Sequence, residues 1–375
     1  MPEDFDIHET GHMRLVLVHL GAAQAEHLWL NMKSILKRFP KIEITFISDR
    51  YHQQLPVDSR VSFFQYQRTE VDRTILTNLE HDSKFRSGFW HFTIERFLAL
   101  EQYHQRFPWS KVLHIESDIL LLPNFPFEAI SKILKLAWLR VDENRDVAAI
   151  LYSPNLNETT WLVREIHKEI LKNSLITDMT SLNQIRRNNQ NRIQVIPSHS
   201  PLLGMDLFQE GSERKELTDE LSRDFVKFGG IFDPAAFGMW LTGSDPRNYY
   251  GKQIIFDTKE IVGGGTYIDP SRLKYSISEE GELFCGIGFD VVRIWSLHVH
   301  SKDLRLFGDE WRSRLESLVI QSKSGIVVTE FHLKTLLKSI HSNFRDRTMI
   351  SWVLHIPKLA PFVKFLRKLR STIRP

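Results

Sequence analysis

Residues 111–125 read KVLHIESDILLLPNF. The run Lys111–Ile115 has strand length and is apolar on both sides of the alternation, so it reads as a strand buried on both faces. Glu116 and Asp118 stand at its carboxyl end, with more apolar sequence behind them, where unpaired carboxylates are expensive. In an extended segment residues i and i+2 project to one side, so the pair can face one object together. A hard divalent ion, Mg2+ or Mn2+, is held by one or two carboxylates plus substrate phosphates and fits such a pair. A nearby Lys or Arg, or a cap on the next segment, would answer the same charges.

The flanking sequence supplies a sheet for that strand. RLVLVHL (14–20), closed by Gly21, is a continuous apolar run, and Ala25, Leu28, Met32, Ile35 and Leu36 follow at helical spacing. KIEITFISDR (41–50) and RVSFFQY (60–66) read as two further strands. Strand, helix, strand at these lengths is a βαβ unit, hence a parallel sheet with a crevice at its carboxyl ends. FWHFTIERFLALEQYHQRF (89–107) is a strongly apolar helix ended by Pro108. Arg96 lies on it, one turn after Thr93, and needs an anionic partner: Asp118 or a bound diphosphate, with another nearby acid as the alternative.

Downstream, 128–139 reads as a helix, 146–152 as a strand and 160–172 as a helix. Residues 175–230 read as a polar, irregular insertion, and 231–300 as Gly-rich turns and short strands; the remainder reads mostly helical. The expected class is α/β: a mixed, mainly parallel sheet flanked by helices, with an α+β acceptor half and a helical C-terminal tail. The expected division is 1–310 (halves 14–125 and 126–310) and an extension, 311–375.

The 375 residues, 42% hydrophobic and 25% charged, suit a soluble globular protein with a sizeable core. Lys and Arg total 49 against 46 Asp and Glu, a net charge of +3 that gives no footprint for nucleic acid. Cys285 stands alone, which excludes an intrachain disulfide and a thiolate zinc site and suits a small buried hydrophobe. No stretch reaches the roughly 20 apolar residues of a membrane span, and the acidic start is unlike a signal peptide, so a cytoplasmic protein is expected. After Asp346 no acidic residue occurs, and PKLAPFVKFLRKLRSTIRP (357–375) alternates Lys and Arg with apolar residues at helical spacing. A basic amphipathic helix of this kind suits peripheral attachment to an anionic membrane surface, docking on its own domain, or another acidic partner.

SLHVHSKDL (296–304) places His298 and His300 two apart at a strand's close, with Lys302 following. Histidine is a common metal ligand and Lys a compact charge suited to a diphosphate, though one His suffices as a ligand. Together, residues 14–20, 111–125 and 296–304 resemble the GT-A-fold glycosyltransferases, DXD-type, including glycogenin-like and bacterial members. In that resemblance 116–118 takes the place of the Asp-x-Asp motif, with Glu116 in the first acidic position. The late His and Lys stand closer together than is usual there. TDMTSLNQ (177–184) resembles an Asp-Gln-x-x-Leu-Asn segment that lines the sugar pocket, with Met179 replacing Gln. GGIFDPAAFGMWLTGSDPRN (229–248) resembles a segment that reaches the active-site floor.

The resemblance implies metal-dependent transfer of a sugar, a hexose by preference, from a nucleotide-diphospho-sugar donor. The acceptor would be a hydroxyl of a glycan, a lipid-linked glycan or a protein. It implies Mn2+ or Mg2+ on Glu116, Asp118, His298 and His300, and donor contacts from Gly21, Arg96 and Lys302. Asp233 is expected on the acceptor side as a base or sugar ligand, with Asp178 second. Each has a structural counterpart: Gly21 an ordinary turn, both Asp residues turn formers, and Trp90, Trp240 and Trp295 packing rather than stacking on substrate. Asp245 reads as a turn residue, and VGGGTYIDP (262–270) as either flexible backbone near a substrate or a tight hairpin. The rival classes are a sugar nucleotidyltransferase, whose Gly-rich cationic first loop HLGAAQAEH lacks, and a glycan-binding module without catalysis.

Overall fold

The computed structural model describes residues 12–21, 25–81, 88–203, 214–243 and 268–322. The expectations for Asp245, most of 262–270 and the basic tail concern residues outside these. Among the described residues no helix is long and apolar enough to cross a membrane.

The first half is built as its periodicities dictate. Strand β1 (Met13–His19), helix α1 (Glu26–Arg38), β2 (Ile44–Ser48) and β3 (Val61–Gln65) form the parallel start. Helix α2 (Glu70–Thr77) opens on a Thr69 capping box, and α3 (Phe89–Arg106) leads into β4 (Lys111–Ile115), which pairs in parallel with β1. Then come β5 (Ile119–Leu121), α4 (Phe127–Ser131), β6 (Leu136–Arg140), β7 (Asp146–Ser153), α5 (Leu156–Lys172), α6 (Asp178–Asn188) and β8 (Ile193–Val195). The main sheet runs β3-β2-β1-β4-β7-β6-β8, parallel except for β7, which is antiparallel to both neighbours. This is the expected mixed, mainly parallel sheet.

Alternation along β1 explains its unbroken apolarity. Leu15 and Leu17 enter a core with Leu28, Met32 and Ile35 of α1, whereas Val16 enters the opposite core with Phe97 of α3 and Ile166 of α5. A third core gathers α8 (Phe225–Phe228), α9 (Ala236–Thr242), β9 (Lys274–Ile277), β10 (Leu283–Ile287), β11 (Asp290–Ile294) and β12 (Ser296–His298). Helix α10 (Trp311–Ser322) buries Leu315, Leu318 and Val319 in it. Cys285 lies there as the small buried hydrophobe expected, its thiol pushed up to about 12 by burial.

Two expectations fail. The helix read over 128–139 is five residues long, and Leu136–Arg140 is a central strand between β7 and β8. An apolar run of that length fits either state, and pairing on both edges decides it, with Trp138 Nε1 donating to the buried Asp146 at 2.8 Å. The supposed irregular insertion contains α6 and β8. Arg186 of α6 meets Asp146 at 2.6 Å, and Glu220 of α7 (Arg214–Ser222) at 2.6 Å, so the polar composition is spent on internal ion pairs.

Burial also makes the fold acid-sensitive. His104, bonded to Thr159 and Ser110, is pushed down to about 4 by burial, and His114, bonded to the Val16 carbonyl, to about 3. Both folded-state values lie below the ordinary 6.5, so the unfolded chain takes up protons first and stability is lost as pH falls below 6.5. At pH 4.5 the loss is about 2 to 3 kcal/mol per histidine. Urea unfolding at pH 7 and 4.5 measures it, and His104→Gln should remove that residue's share; an unchanged midpoint would contradict the assignment.

Candidate functional site

The acidic pair sits on a tight turn rather than an extended segment. Ile119 N–H donates to the Glu116 carbonyl at 3.1 Å, and β5 departs at once to pair antiparallel with β12. This ribbon sets His298 opposite Ile119, and Val299 N–H donates to the Asp118 carbonyl at 2.8 Å. Both carboxylates therefore reach the same imidazole: His298 Nε2 is 3.3 Å from Asp118 and 3.4 Å from Glu116. Sequence reading placed them on one side, and the turn does so by a different route.

The pair then divides. Arg96 donates to both Glu116 and Asp178 at once, with its side chain 8% exposed. It does not meet Asp118, as had been expected. Asp118 instead accepts from Lys302. Burial opposes the charge on both carboxylates, yet Lys302 and His298 hold Asp118 well below the usual carboxylate range, and Arg96 and His298 lower Glu116. Burial also disfavours charge on His298, but Asp118 and Glu116 raise it overall; His300 is lowered by burial and by His298. Asp178, at the first position of α6 after its Thr177 cap, is raised by burial against the pull of Arg96.

His298 and His300 stack with centroids 3.8 Å apart, and one ligand atom each from Asp118, His298 and His300 falls within 4.8 Å of the others. His298 Nδ1 and His300 Nε2 are buried with no hydrogen-bond partner among the described residues. One carboxylate and two imidazoles could hold a divalent ion, and the imidazoles favour a transition ion over Mg2+, which prefers oxygen throughout. Glu116 stands beside this group and is not part of it.

Asp233 holds the backbone under the site. Its Oδ1 accepts from Ala235 and Phe237 N–H at 2.9 and 3.0 Å, and its Oδ2 from Gly238 and His298 N–H at 2.7 and 2.9 Å. Fully buried and with four donors on two oxygens, it has no capacity left for a substrate hydroxyl, which corrects its expected part as a base. Gly238 is required there, since a Cβ would lie 2.1 Å from the His298 carbonyl oxygen.

Gly21 has φ +83°, and its N–H donates to Asp49 at 3.3 Å. That left-handed turn by itself favours glycine, and a Cβ there would meet the edge of the Phe92 ring at 2.7 Å. Trp240 and Trp295 are buried, the latter donating to the Phe228 carbonyl at 3.1 Å, and Trp90 packs beside Phe89. Sequence reading passed over Asn31, which is fully buried on α1 and donates to the carbonyls of Ser117 and Ile119 at 3.1 and 2.8 Å. It pins the acidic turn from below. The available signal was an amide one turn from Leu28 and Ile35 on an apolar face.

No protein-family profile matches the chain, and no curated protein matches its sequence significantly. Among solved structures, the galactosyltransferase LgtC in complex with donor and acceptor sugar analogues is similar at 12% identity and TM-score 0.39, over 56% of this chain and 84% of LgtC. The apo glycosyltransferase GlyE of Streptococcus pneumoniae TIGR4 is similar at 12% identity and TM-score 0.35, over 49% of this chain and 45% of GlyE. The bifunctional glycosyltransferase WbbM follows at 13% identity and TM-score 0.34, over 52% of this chain and 40% of WbbM. The case for chemistry stands on the side chains of the cluster.

Proposed function

We propose that this chain is a metal-dependent glycosyltransferase of the GT-A fold, transferring a hexose from a nucleotide-diphospho-sugar to a hydroxyl of a glycan, lipid-linked glycan or protein. The observation that carries the proposal is the convergence of Asp118, His298 and His300, with Lys302 on the same carboxylate, at the carboxyl end of β4. A divalent ion held by Asp118, His298 and His300 would supply Lewis acidity to the departing diphosphate. Lys302 is the cation beside it, 25% exposed and able to contact phosphate oxygens. Arg96 neutralises Glu116 and Asp178 together, which keeps the cluster from repelling an anionic donor and fixes α6 against the acidic turn. Asp178, the second acceptor-side candidate, is paired with Arg96 beside the acidic turn. The basic tail's attachment to an anionic membrane surface belongs to the proposal on sequence alone.

Incubating the protein with a panel of UDP- and GDP-sugars and Mn2+ should release free nucleotide slowly through hydrolysis of the matching donor. Chelation should stop the release, and Mn2+ should restore it better than Mg2+. Absence of release from every donor with either metal would sink the proposal.

A further inference from the structure

The Lys302 ammonium donates to Asp118 Oδ2, the oxygen that His298 Nε2 faces at 3.3 Å. Asp118 is one of the three residues of the ligand group, so an ammonium and a divalent ion would compete for its carboxylate. The Asp118 side chain is 7% exposed and that of Lys302 25%, so the ammonium reaches its partner from the open side. The Lys302 backbone is anchored independently of this contact: its N–H donates to the Val299 carbonyl at 3.0 Å, in a left-handed residue with φ 54°. The side chain can therefore leave Asp118 with the turn in place, on a flexible four-carbon stem.

We infer that Lys302 is an exchangeable counter-ion: it holds Asp118 until metal and diphosphate arrive together, then passes from the carboxylate to the diphosphate. The inference deepens the proposed function and rests on it. Its consequence is a coupling between two ligands. Metal alone must displace a cation into water and binds weakly. Metal with diphosphate gives the displaced ammonium a new anion, and each ligand promotes the other to the same degree.

The test uses the full chain, Mn2+ followed by its free-ion electron paramagnetic resonance signal, and inorganic pyrophosphate as the diphosphate probe. Lys302→Met should bind Mn2+ alone about tenfold more tightly than the parent, and the Mn2+–pyrophosphate complex about tenfold more weakly. Lys302→Gln should repeat both changes, which guards against a packing effect of Met. Melting of chelated protein gives a separate reading. Lys302→Met should lower the melting temperature of the parent but not that of Asp118→Asn, because the pair is then already broken. Unchanged or weaker Mn2+ binding by both Lys302 variants, or equal melting shifts in the two backgrounds, would overturn the exchange. A parent that binds no Mn2+, or binds it as well after Asp118→Asn, would instead overturn the metal assignment beneath it.

Discussion

Asp118→Asn should abolish Mn2+ binding and lower donor turnover by about a hundred- to a thousandfold, the usual effect of removing one group that stabilises developing charge. Asparagine keeps the shape and one acceptor oxygen but loses the charge that balances both Lys302 and the ion. The fold should survive, because Lys302 is partly exposed and can turn to water once its partner is neutral. Glu116→Gln is the informative contrast. Its Oε1 is occupied by Arg96 and it lies outside the three-ligand group, so Mn2+ binding should persist and turnover fall only about tenfold. Turnover and Mn2+ titration on the two variants decide the matter. If Glu116→Gln loses the metal and Asp118→Asn keeps it, the two carboxylates have been assigned the wrong way round.

Asp233→Ala should destabilise the protein by about 4 kcal/mol or more, since it orphans four buried N–H groups whose individual losses are each about 1 to 3 kcal/mol. Asp233→Asn should be nearly as harmful, because its amide nitrogen must face N–H donors from one side or the other. One of the four donors is the backbone of His298, so the loss should reach the metal: Asp233→Asn should also weaken Mn2+ binding. A general base would behave differently, with stability and metal affinity kept and turnover alone reduced. Urea unfolding together with Mn2+ titration separates the two roles.

The parts of the molecule legible in the sequence are those that local patterning determines. The apolar run of β1 announced burial on two faces, and the spacing along α1 announced a helix packed on one of them. The acidic pair and the late His and Lys were visible as charges and ligands out of place at strand ends. Their pairing was not visible, because it depends on competition among side chains far apart in sequence. Arg96 had several acids within its possible reach, and only the packing of α3 against α6 gives it Glu116 and Asp178 rather than Asp118. Asp233 shows the same limit: an acid in a turn looks alike whether it faces substrate or backbone. In strand β6, Leu136–Arg140 carries no periodicity that distinguishes strand from helix, and its two neighbours in the sheet decide.

The ribbon of β5 and β12 has a consequence for how the site comes into being. Asp118 and Lys302 are 184 positions apart, so the ligand group joins the middle of the chain to a segment made far later. Closing so long a span carries an entropic cost that local contacts do not offset, and such contacts form late in folding. While β12 is still unmade, the acidic turn has neither imidazole nor ammonium beside it. A polypeptide cut short before residue 296 would thus lack both imidazoles of the ligand group.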